Sequence, residues 1–318
     1  MSVVALGPEH VGAASRLAAD GVARLRESLP ILPAGWEDPS AVARVITRLI
    51  DQGVGLAVVE DGDLLAFQAA LTLDGHGGRW AYTPDLAHAA PGPRGTRLRE
   101  RLYAELADGW VRAACPEHAI TLLADDVEAQ AAMARLGFGE YVIDLVGPVG
   151  PLDAGPKPKG VSVRRADALD APVVAELDAA LRRHLQASPI FLRPGPAPSP
   201  EVCRRELGDA TIATFLAECN GRAVSYLRIG PCATDVSMVV RDPSTASVTA
   251  AYTRPESRGS GIASHLLDAA VAWARGAGYA RWAVDHESAN REAARFWARH
   301  ATPAAVSMTR RLAPGLVA

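Results

Sequence analysis

The segment from Ala250 to Ala263 constrains the fold of this chain more than any other part of it. It reads Ala-Ala-Tyr-Thr-Arg-Pro-Glu-Ser-Arg-Gly-Ser-Gly-Ile-Ala, which predicts a strand, a proline-marked turn and a glycine-rich entry into a helix. The first turn of a helix leaves four backbone N–H groups without partners, and the helix dipole favours negative charge there. Because Gly259 and Gly261 let a ligand approach the main chain closely, the segment predicts a diphosphate site.

A second strand and a second helix are predicted to follow this segment. The strand covers residues 279–284, and Asn290 opens the helix. Asn290, Ala293 and Trp297 share one face of that helix, since they are three or four residues apart. The small side chain of Ala293 lets another group approach this face, although a buried helix would show the same alanine. Asn290 is also a good helix cap, so its residue type alone leaves both roles open.

Together these elements resemble the GCN5-related N-acetyltransferase (GNAT) superfamily. Its signature, Arg/Gln-x-x-Gly-x-Gly/Ala after the fourth strand, is matched by Arg258, Gly261 and Ala263, and its Asn-x-x-Ala helix by Asn290 and Ala293. The resemblance covers about residues 160–312. It implies an α/β fold with a central mixed β-sheet and helices on both faces. The alternative is a fortuitous helix cap in an unrelated α/β protein.

The resemblance also implies a co-substrate, acetyl-CoA, and the residues that bind it. The pantetheine arm is expected on the main chain of the strand, and the diphosphate on the glycine-rich turn. Asn290 is expected to contact the cofactor, and Trp297 stands where the family often has a tyrosine that acts as general acid. The cofactor-binding residues expected in this way are Ala251, Tyr252, Thr253, Arg258, Gly259, Ser260, Gly261, Ile262, Ala263, Asn290 and Trp297.

The reaction implied is direct attack of a primary amine on the acetyl thioester. An alkylammonium group has a pKa near 10.4 and must first lose a proton, so a general base is needed. Asp285 and Glu287, just past the predicted strand, are the catalytic candidates for this role, with Asp235 as a further one. Since an indole has no acidic proton, Tyr252 is the candidate acid in place of Trp297, with Ser264 or water as alternatives.

The acceptor pocket is expected from the segment between Leu181 and Arg205, which contains His184. His184, His265 and His286 are each interpreted as packing or surface residues and not as bases. No His, Cys and Asp cluster has the spacing of metal ligands, so no metal is expected.

The chain also contains an internal duplication. Similar residues recur in order at a spacing of about 160 residues. The pairs are Pro30-Ile31 with Pro189-Ile190, Asp61-Gly62 with Asn220-Gly221, and Arg94-Gly95 with Arg258-Gly259. We therefore predict two tandem GNAT-like domains, residues 1–148 and 161–318, joined by a Pro/Gly-rich linker at 149–160.

Only the second copy is expected to bind acetyl-CoA. Arg97 and Arg99 stand in the first copy where the second has Gly261 and Ala263, and Asp126 stands in the place of Asn290. Side chains then occupy the positions at which bare backbone meets the diphosphate, and a carboxylate repels it. An alternative remains open: Arg94, Arg97 and Arg99 form a different anion site, since arginine binds phosphate well.

Composition sets the remaining limits. The 318 residues carry a net charge of −3, which gives no reason to expect nucleic acid as a partner. No apolar run reaches the length of a membrane span, and no signal peptide is recognisable, so a cytoplasmic setting with reduced cysteines is expected. The sequence leaves the oligomeric state open, a homodimer included.

The sequence thus predicts an N-acetyltransferase that acetylates a primary amine of a small molecule or peptide, with its active site in the second domain. One alternative is a CoA-binding module without catalysis, which the missing tyrosine favours. The other is a resistance acetyltransferase that acts on amine drugs.

Overall fold

The chain folds into two compact units, each built from more than one stretch of sequence. The computed structural model describes residues 1–75 and 78–316. Unit 1 contains Met1–Asp144, Ser237–Val240 and the C-terminal segment that begins at Pro303. Unit 2 contains Leu145–Val236 and Arg241–Thr302.

Unit 1 is a mixed sheet covered by helices. Its strands are β1 (Ser2–Ala5), β2 (Val54–Glu60), β3 (Asp63–Gly75), β4 (Gly78–Thr83), β5 (His88–Ala89) and β6 (Glu117–Leu123), with most of β7 (Gly139–Pro148) and of β13 (Thr302–Arg311). Its helices are α1 (Val11–Ser28), α2 (Pro39–Gln52), α3 (Gly95–Arg112) and α4 (Val127–Arg135). The sheet order begins β1-β2-β3-β4-β6-β13, and β4 and β6 are parallel within it.

Unit 2 repeats this arrangement. Its strands are β8 (Val161–Arg165), β9 (Ala213–Cys219), β10 (Arg222–Pro231), β11 (Thr245–Thr253) and β12 (Arg281–Glu287), and its helices are α5 (Ala171–Gln186), α6 (Pro200–Gly208), α7 (Ile262–Gly276) and α8 (Arg291–Trp297). The order is β12-β11-β10-β9-β8, with β11 and β12 parallel. Helices α5 and α6 pack on the face that carries Leu216 and Tyr226, and α7 packs against β9 and β10. The predicted α/β fold with two tandem domains is confirmed.

The last strand of the chain belongs to unit 1. The sequence predicts that all of 161–318 lies in the second domain, but the segment from Pro303 belongs to unit 1. There β13 pairs antiparallel with β6, from Ala305 opposite Leu123 to Arg311 opposite Glu117. Val306 and Met308 are buried in the core of unit 1 with Leu122 and Met133. The last residues of β7, from Leu145, lie in unit 2.

A short segment of the second half also belongs to unit 1. Residues 237–240 are held there by two carboxylates that accept hydrogen bonds from their backbone N–H groups. Asp85 accepts from Met238 at 3.2 Å and from Val239 at 2.7 Å, and Asp144 accepts from Ser237 at 3.1 Å. Asp85 and Asp144 are both buried, so each of these charge-assisted bonds satisfies an ion that burial would otherwise penalise.

None of the helices within the described residues is long and apolar enough to cross a membrane. The linker predicted at 149–160 contains no helix or strand and ends in a turn. It contacts α7 where Leu152 N donates to Asp268 Oδ1 at 3.2 Å.

The close approach of β7 to β12 in unit 2 generates a prediction. Trp282 is fully buried and donates from Nε1 to the carbonyl oxygen of Pro148 at 3.0 Å. A Cβ at Gly147 would lie 2.4 Å from the indole, whereas a Cβ at Gly139 of the same strand would meet nothing within 4 Å. We expect Gly147→Ala to lower the free energy of unfolding by about 1–3 kcal/mol through overpacking.

Gly139→Ala is the matched control and should leave stability unchanged or slightly higher, because alanine suits a strand interior better than glycine. Urea unfolding followed by tryptophan fluorescence measures both variants. Equal stabilities for the two variants would contradict the packing assigned to Gly147.

Candidate active site

The turn that precedes α7 presents a row of unpaired backbone donors. Gly259 and Gly261 have φ angles of +72° and +85°, and Gly261 caps the helix in the left-handed conformation. In the part of the chain that the structure describes, the N–H groups of residues 259–263 donate to no protein acceptor. No neighbour would block a Cβ at Gly259 within 4 Å. Glycine is therefore required for the backbone conformation, and that conformation exposes the donors.

Beside this turn, the strands β11 and β12 separate. Their parallel register runs only from Thr245–Arg281 to Ser247–Ala283, although both strands continue. On its other edge, β11 stays paired with β10 as far as Thr253, with a bulge where Arg228 and Ile229 face Ala250 and Val248. A bulge increases local twist and bends the strand, which accounts for the gap that opens beyond it.

The gap exposes main-chain groups of β11. Arg254 N donates to Val224 O at 2.9 Å, so the bonded positions of this antiparallel ladder are Tyr252 and Arg254. Ala251 and Thr253 alternate with them and direct their N–H and C=O groups away from β10 and into the gap. These are two of the three positions at which the sequence predicts contact with a pantetheine arm.

Arg258 braces the turn from within. Its Nε donates to Thr253 O at 3.0 Å, its Nη1 pairs with the carboxylate of Glu292, and its guanidinium lies 5.7 Å from the centre of the Tyr252 ring. These three contacts join β11, the turn and α8. The side chain of Arg258 therefore holds the donors in place, and its own charge is already paired.

Helix α8 begins at the capping residue Asn290. Asn290 Oδ1 accepts from Ala293 N at 3.2 Å, so the side chain is the cap that its residue type suggested. The cap uses the oxygen and leaves the amide NH₂ group for other partners. Trp297 is buried, with its ring 6.0 Å from that of Trp282 and 4.7 Å from that of Phe296.

All these elements surround one cleft of unit 2, with a volume of about 800 Å³. Ala251, Tyr252, Thr253, Arg258, Gly259, Gly261, Ile262, Ala263, Asn290 and Trp297 line it; of the predicted cofactor residues, Ser260 does not. Ser260 instead donates from Oγ to Ser257 O at 2.6 Å, within the turn. The unpaired donors and the open strand edge fit a diphosphate joined to an extended amide chain.

The corresponding place in unit 1 is built differently. Helix α3 begins at Gly95, the counterpart of Gly259, whereas α7 begins only at Ile262. The residues of unit 1 that correspond to the open turn of unit 2 are therefore already helical. Leu98 N, for example, donates to Arg94 O at 3.1 Å.

The side chain of Arg99 also crosses this place in unit 1. Arg99 Nη2 donates to Asp126 Oδ2 at 2.5 Å and Nη1 donates to His88 Nδ1 at 3.1 Å. Burial, and after it Arg99, lowers the pKa of His88 to about 4, so His88 stays neutral and accepts this bond. Arg94 pairs with Glu60 at 2.8 Å. Two of the three arginines of the alternative anion site are therefore neutralised by carboxylates.

The predicted catalytic carboxylates lie near one another but do not line the cleft. The side chain of Asp285 is exposed, between the buried residues Val284 and His286 of β12. Desolvation by the surrounding protein, together with repulsion from Glu287 and Asp235, raises its pKa to about 6. Tyr252, the predicted acid, does line the cleft.

The residue that sequence reasoning undervalued is His184. It lies on the last turn of α5, lines the cleft, and its ring centre is 6.4 Å from that of Tyr252. Burial, and after it the charge of Arg258, lowers the pKa of its imidazole. Its place in the acceptor-side segment is predicted from sequence, but a single histidine on an amphipathic helix gives no sign that it acts as a base. The packing of α5 beside β11 places it in the cleft.

Comparison with known proteins agrees with this geometry. Residues 180–301 match the profile of the acetyltransferase (GNAT) family. Residues 180–301 are therefore similar to a GNAT domain. No curated protein matches the sequence. Within residues 1–75 and 78–316, no three His, Cys, Asp or Glu side chains gather as ligands for a metal ion.

Solved structures of GNAT proteins share the fold over the whole chain. The GCN5-related N-acetyltransferase from Sphaerobacter thermophilus is 19% identical with a TM-score of 0.60, and the match covers 100% of this chain and 97% of that one. The glucosamine N-acetyltransferase region of a fungal multi-domain GH3 β-N-acetylglucosaminidase is 12% identical with a TM-score of 0.53, over 97% of this chain and 38% of that one. At these identities the likeness establishes the fold alone.

The crowding of carboxylates around Asp285 generates a prediction about stability. Its folded-state pKa lies above the ordinary value of an aspartate, 3.8, so the ionised form is disfavoured in the folded protein. The unfavourable contribution is absent below about pH 4 and is complete above about pH 6. Asp285→Asn should therefore stabilise the protein at pH 8 by about 1 kcal/mol, a value reduced because the side chain is exposed.

Urea unfolding of the wild type and of Asp285→Asn between about pH 4 and pH 8 measures this difference. Asp108→Asn, a change at an exposed position of α3, is the control. A stability gain in Asp285→Asn that is the same at both ends of the range would contradict the repulsion assigned to this residue.

Proposed function

We propose that this protein transfers the acetyl group of acetyl-CoA to a primary amine, and that unit 2 carries the active site. One observation supports this most directly. Within residues 1–75 and 78–316, the five consecutive backbone N–H groups of residues 259–263 have no protein acceptor, and they adjoin a strand edge that the bulge in β11 leaves open. A diphosphate and a pantetheine arm are the chemical groups that need both features side by side.

The residues of this chain divide the binding between them. The N–H groups of residues 259–263 would hold the diphosphate, with the positive end of the α7 dipole favouring its charge. Main-chain groups of Ala251 and Thr253 would pair with the amides of the arm. Asn290 would offer the NH₂ group that its capping bond does not use, and Trp297 would supply an apolar wall.

When bound, acetyl-CoA supplies an activated thioester carbonyl. The chain must then remove a proton from the attacking amine and stabilise negative charge on the carbonyl oxygen. A backbone N–H of β11 near Thr253 is placed for the second task, because it faces the gap. For removal of the proton from the amine, the sequence predicts Asp285 and Glu287 as candidates, and these remain predictions.

The leaving thiolate needs less help than an alkoxide. Trp297 has no acidic proton to donate, and Tyr252 is the phenol that lines the cleft. Because a thiol has a pKa near 8.5, its anion can depart at neutral pH without an acid. The absence of the usual tyrosine is therefore compatible with turnover.

A second candidate function is a CoA-binding module without catalysis, and Trp297 is the observation that favours it. The acceptor itself, whether a small molecule, a peptide or an amine drug, stays a proposal, as does the cytoplasmic setting. Acetyl-CoA consumption in the presence of a panel of amines separates the two functions. Tight CoA binding with no amine acetylated would favour the binding module.

The role of the glycine turn generates a prediction about binding. Gly261→Ala places a side chain on a residue with a φ angle of +85°, a conformation that costs about 1–3 kcal/mol outside glycine. The turn should relax and the donors should lose their common direction. We expect CoA to bind at least about tenfold more weakly, which corresponds to about 1.4 kcal/mol.

Isothermal titration calorimetry of the full-length chain measures this affinity and its stoichiometry. Gly276→Ala makes the same chemical change at the other end of α7, where a Cβ meets nothing within 4 Å, and should bind CoA as the wild type does. We expect one CoA per chain. Unchanged binding in Gly261→Ala, or a second equivalent of CoA, would contradict the site assigned here.

A further inference from the structure

His184 is the imidazole that the fold brings to the acceptor side of the cleft. It belongs to α5, whose core residues pack on the face of the sheet that carries Tyr226, with Tyr252 packed beside them. One turn earlier, Leu181 lines the same cleft. His184 thus faces the open edge of β11 from a different helix than those that would hold the cofactor.

The groups around His184 come from every element that borders it. Tyr252 of β11 is its ring neighbour. Asn290, the cap of α8, lies within hydrogen-bonding reach. Arg258 of the turn disfavours the imidazolium, whereas Glu292 of α8 and Glu287 of β12 favour it. Since burial and Arg258 outweigh the carboxylates, the pKa of His184 is lowered and its ring is neutral at pH 7.

The carboxylates proposed from sequence are less well placed for proton transfer. Neither Asp285 nor Glu287 lines the cleft. Glu287 forms no ion pair within the described residues, and with Asp285 and Asp235 it makes this side of the cleft negative. Carboxylates without a paired cation attract an ammonium ion, so they favour the approach of the acceptor. The base that removes its proton is then expected closer to the gap between β11 and β12.

We propose that His184 is the general base that deprotonates the acceptor, an inference that rests on the function proposed above. The acceptor nitrogen enters as an alkylammonium and ends as an amide, so it loses two protons. One goes to the imidazole of His184 and later to solvent. The other goes to the thiolate that leaves as the C–N bond forms and the C–S bond breaks. Atoms and charge then balance.

The test compares His184→Gln with two other full-length variants. Arg183→Gln changes the adjacent, exposed residue of α5, and Asp285→Asn removes the competing candidate base. The probe amines are cadaverine, a lysine-containing peptide and hydrazine, a much weaker base than the other two. Calorimetry with CoA accompanies the kinetics, so that loss of the cofactor site is recognised separately.

We expect His184→Gln to bind CoA normally and to acetylate cadaverine about 10²-fold more slowly in kcat/KM. Its rate with hydrazine should fall by less than about tenfold, because hydrazine needs less help to lose a proton. In the wild type, kcat/KM should already be level at pH 7, because the lowered pKa of His184 keeps its ring neutral there. In His184→Gln it should keep rising toward the pKa of the alkylamine, near 10.4, because only free amine reacts.

Two results would overturn the proposal while leaving the proposed function intact. One is a His184→Gln variant with the pH profile of the wild type. The other is an Asp285→Asn variant in which kcat/KM no longer falls at low pH as it does in the wild type. If the wild-type protein binds CoA but acetylates none of the three amines, the proposed function fails, and the role of His184 fails with it.

Discussion

The unpaired peptide donors at the start of α7 are the constraint on which the rest of unit 2 depends. An N-terminal helical turn always has spare N–H groups, but here two left-handed glycines, Gly259 and Gly261, extend the row backward into the turn. Keeping that turn open requires a brace, and Arg258 supplies it by joining Thr253 to Glu292. The bulge in β11 supplies the second requirement, an open strand edge beside the donors. Neither feature alone would accommodate a long ligand with a charged diphosphate at its centre.

Unit 1 shows what the same element order becomes without that constraint. There the helix extends through the turn, and Arg99 spans the place in a bond to Asp126. An internal ion pair thus replaces the open donors, and the backbone gains helical hydrogen bonds. The unit keeps a core of its own, to which the chain contributes β13 from its far end. Because β13 belongs to unit 1, the first half of the sequence does not contain every strand of that unit.

Much of this could be predicted from local sequence because it depends on local physics. The Gly-x-Gly turn, the cap at Asn290 and the repeated element order all follow from backbone conformation and helical spacing, which a short stretch of chain specifies. The place of β13 in unit 1 could not be predicted, since a strand that fits either sheet edge reads the same in both. The prediction that 161–318 forms one domain was wrong at that end for this reason. The sequence predicts that His184 lies in the acceptor-side segment, but no neighbouring residue distinguishes it from a packing or surface histidine.

The sequence by itself determined that the chain is built from two copies of one α/β unit and that the second copy has the Gly-x-Gly turn where the first has Arg97 and Arg99. The tertiary structure decided which strand completes which sheet, that Asp285 and Glu287 lie outside the cleft, and that His184 lies within it. The physical reason is the distance along the chain over which each interaction acts. Turn and helix propensities act over a few residues, whereas the side chains that face a cleft are selected by packing between segments far apart in the chain.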